Sequence, residues 1–328
     1  MQTTTLGPRG PRVSVIGFGA WAIGGRNWGP TDDDVSRAAL HAALDAGVTL
    51  IDTADVYGCG HSETLIAEVL RARGGEAARQ RAGLLIATKA GNDFYHAAAA
   101  DDRGYGPIRQ NYDRDYLMTA AERSLRRLGV DALDILQLHS GDRAQLERDD
   151  PWDALATLKR QGKIRWAGWS VQSFQETAQA DLLDARHGVL DCLQVRYNLL
   201  ERDAERELLP RARRYGLGVI VRIPLLFGLL TGKFTPASTF GPDDHRRMNL
   251  APEKLAEYLP RLAALQPLFE RYPHQTRTQV ALRFCISHPA CHTTIPGAKT
   301  PGQVAENAAA GDLGPLTDDD LALVARLT

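Results

Sequence analysis

No run in this chain approaches the roughly 20 consecutive apolar residues that a membrane-crossing helix needs, so no transmembrane helix is expected. Neither sign of charge is in excess. Lys and Arg total 39 against 40 Asp and Glu, a formal net charge of -1, and neither end carries a basic or acidic tail. No field is therefore available to gather nucleic acid or anionic lipid, and neither is expected as a partner. Cysteine is scarce. The four residues Cys59, Cys192, Cys285 and Cys291 form no C-x-x-C pair and suggest no zinc site. They read as reduced, mostly buried thiols, with Cys59 set apart by its place beside a candidate site loop. The opening Met-Gln-Thr-Thr-Thr lacks the charged start and apolar run of a secretory signal. A cytoplasmic protein without a metal is the expectation.

The chain has 328 residues, 44% hydrophobic and 24% charged, enough for one large barrel or two ordinary domains. No linker divides it and no solenoid repeat is visible, so residues 1–328 are expected to form a single domain. Short Val-, Ile- and Leu-rich runs predict strands over Ser14–Ala20, Thr49–Thr53, Leu84–Lys89, Leu133–His139, Arg165–Ser170, Cys192–Tyr197, Gly218–Ile223 and Thr293–Pro296. Continuous apolar runs suit strands buried on both faces of a parallel sheet. Amphipathic helices are predicted between them. The first is capped by Thr31, and others lie near Ser62–Arg71, Asp115–Leu128, Pro151–Gln161, Phe174–Asp184, Ala204–Tyr215 and Thr278–Ser287. Helix, then glycine, then strand recurs at Gly47, Gly129, Gly162 and Gly216. This alternation predicts an α/β fold, a (β/α)8 TIM barrel with long loops at its C-terminal face over residues 90–112 and 226–250. A doubly wound sheet is the competitor. Gly17-Phe-Gly19-Ala-Trp-Ala22 matches G-x-G-x-x-A, but the following Gly24, Gly25, Asn27, Gly29 and Pro30 do not open a helix, which a dinucleotide fingerprint requires.

Three predicted strands end in polar residues. Asp52 closes LID, with Tyr57 five residues on; Lys89 closes LLIATK; His139 closes LDILQLH. Singly, each has a structural explanation. The Asp caps a turn, the Tyr packs, the Lys reaches solvent at the rim, and the His bonds locally. Jointly they are notable, because side chains at the C-terminal ends of barrel strands converge on one mouth.

On these residues the chain resembles the aldo-keto reductases, and is similar to them over about residues 10–310. The strings that carry the likeness are LIDTADVYG, GHSETLIAEVL, GKIRWAGWS, QVRYNLLERDAE, GLLTGK and TIPGAKTPGQVAEN. The resemblance implies an NAD(P)H-dependent oxidoreductase with Asp52, Tyr57, Lys89 and His139 as its catalytic set. Tyr57 would act as general acid and base on a carbonyl or alcohol. A free tyrosine, with a pKa of about 10, is too weak an acid at neutral pH, and a neighbouring ammonium lowers it. Lys89 would supply that charge, Asp52 would hold Lys89, and His139 would orient the carbonyl.

The resemblance also implies a dinucleotide extended across the mouth. Ser170 and Gln194 match the residues that bind the nicotinamide amide, and Pro224, Leu225, Gly228, Leu230 and Lys233 match the pyrophosphate loop, where Gly232 also lies. Gly297, Lys299, Gln303, Glu306 and Asn307 match the adenosine-phosphate site, on a helix starting near Pro301 whose free N–H groups suit an anion. Two positions depart from the pattern. Val171 stands where members usually carry Asn, and Arg222 stands where many carry an aromatic residue that stacks on the nicotinamide. Lys299 favours NADP(H) over NAD(H), as a partner for the 2′-phosphate. Trp21, Trp28, Phe94, Tyr95 and Trp169 are expected near the mouth, and an aromatic lining would suit a small aldehyde, a ketone or the apolar face of a sugar. A monomer or weak homo-oligomer is expected. The alternative is a nicotinamide-nucleotide-binding regulatory subunit without turnover. A metal-dependent barrel enzyme is disfavoured, because only His139 sits where a ligand would.

Overall fold

The computed structural model describes residues 1–25, 28–29, 31–95 and 109–328. Eight parallel strands form one sheet: β1 (Phe18–Gly19), β2 (Leu50–Asp52), β3 (Leu85–Ala90), β4 (Leu133–His139), β5 (Ile164–Ser170), β6 (Cys192–Arg196), β7 (Gly218–Arg222) and β8 (Thr293–Thr294). They follow one another in space as in sequence. The sheet curls until its edges meet. Gly17 N donates to Thr294 O at 2.8 Å, Thr294 N to Val15 O at 3.0 Å, and Gly19 N to Pro296 O at 3.0 Å. Among the described residues no helix is long and apolar enough to cross a membrane.

The period of two along each strand sorts the residues into an outer and an inner face. Ile51, Ile86, Leu136, Leu193 and Val219 join the large core under the helices. Leu50, Ile135, Cys192 and Ile220 form a separate inner cluster with Leu6 and Val13. The last two come from an antiparallel hairpin, Thr3–Thr5 with Arg12–Ser14, and the loop within it. Gly218, which starts β7, lies against Leu6, where a Cβ would sit 2.6 Å from Leu6 Cγ. The hairpin therefore closes the N-terminal end of the sheet, and the opposite end is left for chemistry.

Several sequence expectations are corrected. The predicted first strand is split: Arg12–Ser14 belongs to the hairpin, only Phe18–Gly19 is a sheet strand, and a 3-10 turn begins at Ala20. Asp32, not Thr31, caps the first helix (Asp33–Asp45), its carboxylate accepting from Asp34 N and Val35 N at 2.8 and 3.0 Å. An ionised cap also suits the positive end of the helix dipole. The helix predicted over Phe174–Asp184 shrinks to Leu182–Arg186. Phe174 takes a φ of 62°, incompatible with a right-handed helix, and Arg196 lies 4.1 Å from its ring centroid. The expected loop after β7 contains a 3-10 segment (Leu226–Thr231) and a short helix (Arg246–Asn249). Of the other expected loop, residues 96–108 lie outside those described. Helices after β7 and at the end of the chain (Pro252–Ala264, Asp318–Leu327) were not anticipated.

On the outer face of β4, Asp134 accepts hydrogen bonds from Ile86 N at 2.9 Å and from Arg79, whose guanidinium also donates to Leu84 O at 2.7 Å. Both side chains of the pair are about 1% exposed. Arg79→Met strips a buried carboxylate of its main partner, leaving Arg165 at 3.3 Å. It should lower the unfolding free energy by about 3 kcal/mol, read as a fall in the urea midpoint. A midpoint within error of wild type would show that the pair is not a determinant of stability.

Candidate active site

Two residues beyond the apolar inner cluster, the same face turns polar. Leu50 is followed at that spacing by Asp52, Ala87 by Lys89, Ile135 by Gln137, Cys192 by Gln194 and Ile220 by Arg222. These side chains thus meet inside the sheet near its C-terminal end. Lys89 Nζ donates to Asp52 Oδ2 at 2.6 Å, to Thr53 O at 2.8 Å and to Tyr57 Oη at 3.3 Å. The other Asp52 oxygen accepts from Gln194 Nε2 at 2.7 Å and Gln137 Nε2 at 3.1 Å. Every strong donor of the ammonium and both carboxylate oxygens are occupied, the condition for burying such a pair.

Tyr57 sits after β2 in a tight turn, Tyr57–Gly60. Gly58 has a φ of 59°, and a Cβ there would fall 1.8 Å from Gly24 O, so the turn requires glycine. The Tyr57 ring is edge-on to His139, with centroids 5.8 Å apart and planes at 80°. His139 closes β4, and its carbonyl accepts from Tyr112 Oη at 2.7 Å. Its Nδ1 is buried with no hydrogen-bond partner among the described residues.

Burial lowers the ammonium pKa of Lys89, but Asp52 and Tyr57 outweigh it and raise it above 10.5, so the charge is retained. Burial raises the Tyr57 phenol above 10.0, with Lys89 pulling the other way. The expected lowering is thus reversed in net, because desolvation of a phenolate exceeds the attraction of an ammonium already balanced by Asp52. Tyr57 is held as a phenol, the form of a proton donor. Burial, then Lys89 and Arg222, push His139 well below 6.5. The imidazole is neutral and can donate one hydrogen bond.

A cavity of about 690 Å³ opens over this set. Asp52, Tyr57, His139, Ser170, Gln194 and Arg222 border it at one end, and Lys233, Arg246, Lys299, Gln303, Glu306 and Asn307 also line it, as do Pro224, Leu225, Gly228 and Gly297. Leu230, expected beside them, is instead fully buried in the core and does not line the cavity. The 3-10 segment of Leu226–Thr231 turns it inward while Gly228 and Thr231 face the space. Burial, then Arg246, lowers the ammonium pKa of both Lys233 and Lys299. Arg246 is itself paired with Asp244, so Lys233 and Lys299 are the cations there without an ion pair among the described residues. The helix Pro301–Leu313, capped by Thr300, lines the cavity with Gln303, Glu306 and Asn307. The Gln303 side chain accepts from Lys299 N at 2.7 Å.

Trp21 and Trp28 line the cavity as expected. Trp169 does not: it is fully buried, 6.1 Å from Trp152. Phe94 and Tyr95 pair with each other at 4.0 Å, away from the cavity lining. Sequence reading missed Gln137, Phe227, Arg246 and His245. His245 stacks on Trp21 at 4.4 Å and meets Trp28 edge-on at 4.2 Å. Gln137 was legible as a lone amide inside an apolar strand; the others stand in a loop with no pattern to mark them. Among the described residues no group of His, Cys, Asp and Glu could hold a metal, and no disulfide forms.

The eight-stranded parallel sheet thus gathers Asp52, Lys89, Tyr57 and His139 at one end of its interior, beside the cavity. The sequence model of the Aldo/keto reductase family matches residues 15–328. The chain is 32% identical over 308 residues to aldo-keto reductase YhdN of Bacillus subtilis (strain 168), covering 93% of this chain and 87% of that protein. It is 30% identical over 327 residues to a probable voltage-gated potassium channel subunit beta of Arabidopsis thaliana, covering 96% and 93%. The glycerol dehydrogenase AKR11B4 of Gluconobacter oxydans superposes with a TM-score of 0.81 at 30% identity, covering 99% of this chain and 94% of that one. The chain belongs to the aldo/keto reductase family, and it is an oxidoreductase of that family.

The electrostatics of His139 can be read without a substrate. Its imidazole proton resonances should stay at neutral-ring shifts as pH falls through 6.5, because the folded-state pKa lies well below that value. A titration centred near 6.5, followed by NMR against a His139→Gln spectrum for assignment, would contradict the buried neutral ring.

Proposed function

We propose that the protein reduces small aldehydes, ketones or sugars with NADPH, Tyr57 being the general acid. The observation that carries this is the Lys89 ammonium, buried between the Asp52 carboxylate and the Tyr57 hydroxyl. The His139 ring lies edge-on to the Tyr57 ring, and the same cavity borders both residues. The residues fit a dinucleotide. The cavity volume is in the range of about 300–1,000 Å³ usual for cofactor sites. Ser170 and Gln194 stand at the catalytic end as amide partners, and Lys233, Arg246, Lys299 and the helix N-terminus suit phosphates.

When bound, the nicotinamide supplies a hydride. The remaining work falls to the chain. Neutral His139 donates a hydrogen bond to the carbonyl oxygen and orients it. Tyr57 gives its proton to that oxygen as negative charge develops there. Lys89 stabilises the phenolate that remains, and Asp52, held by Gln137 and Gln194, keeps Lys89 charged and in place. Trp21, Trp28 and Phe227 form an apolar wall against which a carbonyl compound or the apolar face of a sugar packs. Lys299 is the reader of the 2′-phosphate. We propose a monomer or weak oligomer in the cytoplasm, since a barrel of this size needs no partner to bury its core.

A regulatory, non-turning-over subunit is the second reading, favoured by the likeness to the plant channel subunit. The complete Asp52–Lys89–Tyr57–His139 set weighs against it.

Binding is tested by titrating NADPH and NADH against the fluorescence of the five tryptophans. NADPH should bind more tightly, and Lys299→Ala should weaken NADPH by about tenfold while leaving NADH unchanged. Equal affinities in wild type would make this an enzyme of either cofactor. Turnover is tested with a panel of carbonyl compounds. Tyr57→Phe should lower kcat by about a hundred- to ten-thousand-fold with the Kd for NADPH unchanged. Full activity in that variant would remove Tyr57 from the mechanism. Tight cofactor binding with no turnover of any carbonyl would favour the regulatory reading.

A further inference from the structure

We infer that Arg222 makes the cofactor site select between the two redox forms of the nicotinamide, holding the neutral reduced ring and rejecting the oxidised cation. The inference rests on the nicotinamide reading above and adds a preferred direction of loading to it.

Arg222 ends β7, two residues beyond Ile220 of the inner apolar cluster, so its side chain enters the same interior as Asp52, Lys89 and Gln194. It borders the cavity with Tyr57, His139, Ser170 and Gln194. Its charge reaches both Tyr57 and His139. A carbonyl held by those two residues must receive hydride at near contact, about 3–3.5 Å between reacting atoms. The donor ring therefore shares this end of the cavity with Arg222.

The guanidinium is fixed but not neutralised. Its Nη2 donates to Val171 O at 2.8 Å and Ser173 Oγ at 2.9 Å, while its Nε is buried with no partner. No carboxylate among the described residues forms an ion pair with it. The acid that acts on it most, Glu176, is itself buried with one oxygen unpartnered. Arg196, on the adjacent strand β6, pairs with Glu201. Lys89 is balanced by Asp52. Among the described residues Arg222 is thus a cation at this end without an ion-pair partner. The two departures from the family pattern are also joined, since the Val171 carbonyl anchors the guanidinium.

Arginine keeps its charge at every working pH. The oxidised nicotinamide ring carries a positive charge and the reduced ring none. Two like charges in a desolvated site repel far more than in water. The reduced cofactor is therefore admitted and the oxidised one discharged, which suits a reductase that must clear its spent cofactor.

The test compares wild type, Arg222→Met and Arg222→Lys in titrations with NADPH, NADP+ and 2′-phospho-ADP-ribose, which lacks the nicotinamide. Arg222→Met should lower the ratio of the NADP+ to the NADPH dissociation constant by about tenfold. Its affinity for 2′-phospho-ADP-ribose should not change, and Arg222→Lys should keep the wild-type ratio. Should Arg222→Met fail to bind the fragment, Arg222→Gln carries the same comparison. A ratio equal to wild type in the uncharged variant overturns the inference while leaving the cofactor reading intact. Wild type that binds none of the nucleotides overturns the cofactor reading, and this inference with it.

Discussion

A lysine inside a barrel is the constraint on which this site depends. An ammonium so placed is costly unless each of its hydrogens has an acceptor and its charge a partner. Asp52, Thr53 O and Tyr57 Oη meet that requirement around Lys89. The carboxylate has requirements of its own, met by the amides of Gln137 and Gln194. The pair thus draws on strands β2, β3, β4 and β6 together, and it is satisfied only when their register is correct. The same contacts leave the Tyr57 hydroxyl at the edge of the cavity with its proton retained.

The rest of the barrel is arranged to leave one end free for this. The hairpin of Thr3–Thr5 and Arg12–Ser14 covers the N-terminal end, and Leu50, Ile135, Cys192 and Ile220 fill the interior above it. One step further along each strand, polarity replaces hydrophobicity. Charge is then distributed by burial. His139 is kept neutral and Lys89 charged. Lys233 and Lys299 lie near Arg246, which is itself paired with Asp244, and burial followed by Arg246 lowers the pKa of both.

The strand ends were legible because an Asp, a Lys and a His closing apolar runs are out of place in a buried sheet unless they meet. The helix start at Pro301 was legible from its proline and the capping threonine before it. Other features left no local mark. Leu230 and Gly228 are neighbours in one glycine-rich string, yet the 3-10 winding of that segment sends one into the core and the other to the cavity. Trp169 lies one residue before Ser170, but alternation on β5 turns it outward against Trp152. Phe174–Asp184 has helical composition, yet only Leu182–Arg186 forms an α-helix, and Phe174, with its positive φ, lies outside it. His245 and Arg246 belong to a loop far along the chain whose path depends on what it packs against.

The sequence by itself determined the parallel sheet and the polar residues that close its strands. These follow from periodicity and from residue types too costly to bury singly. Only the tertiary structure decided the state of those groups. Desolvation is a property of the assembled interior, so the net rise of the Tyr57 pKa and the neutrality of His139 appear only when neighbours from distant segments exclude water. The same holds for Arg222. Its identity stands in the sequence, but its anchoring by Val171 and its lack of a counter-ion exist only where β5 and β7 are brought together.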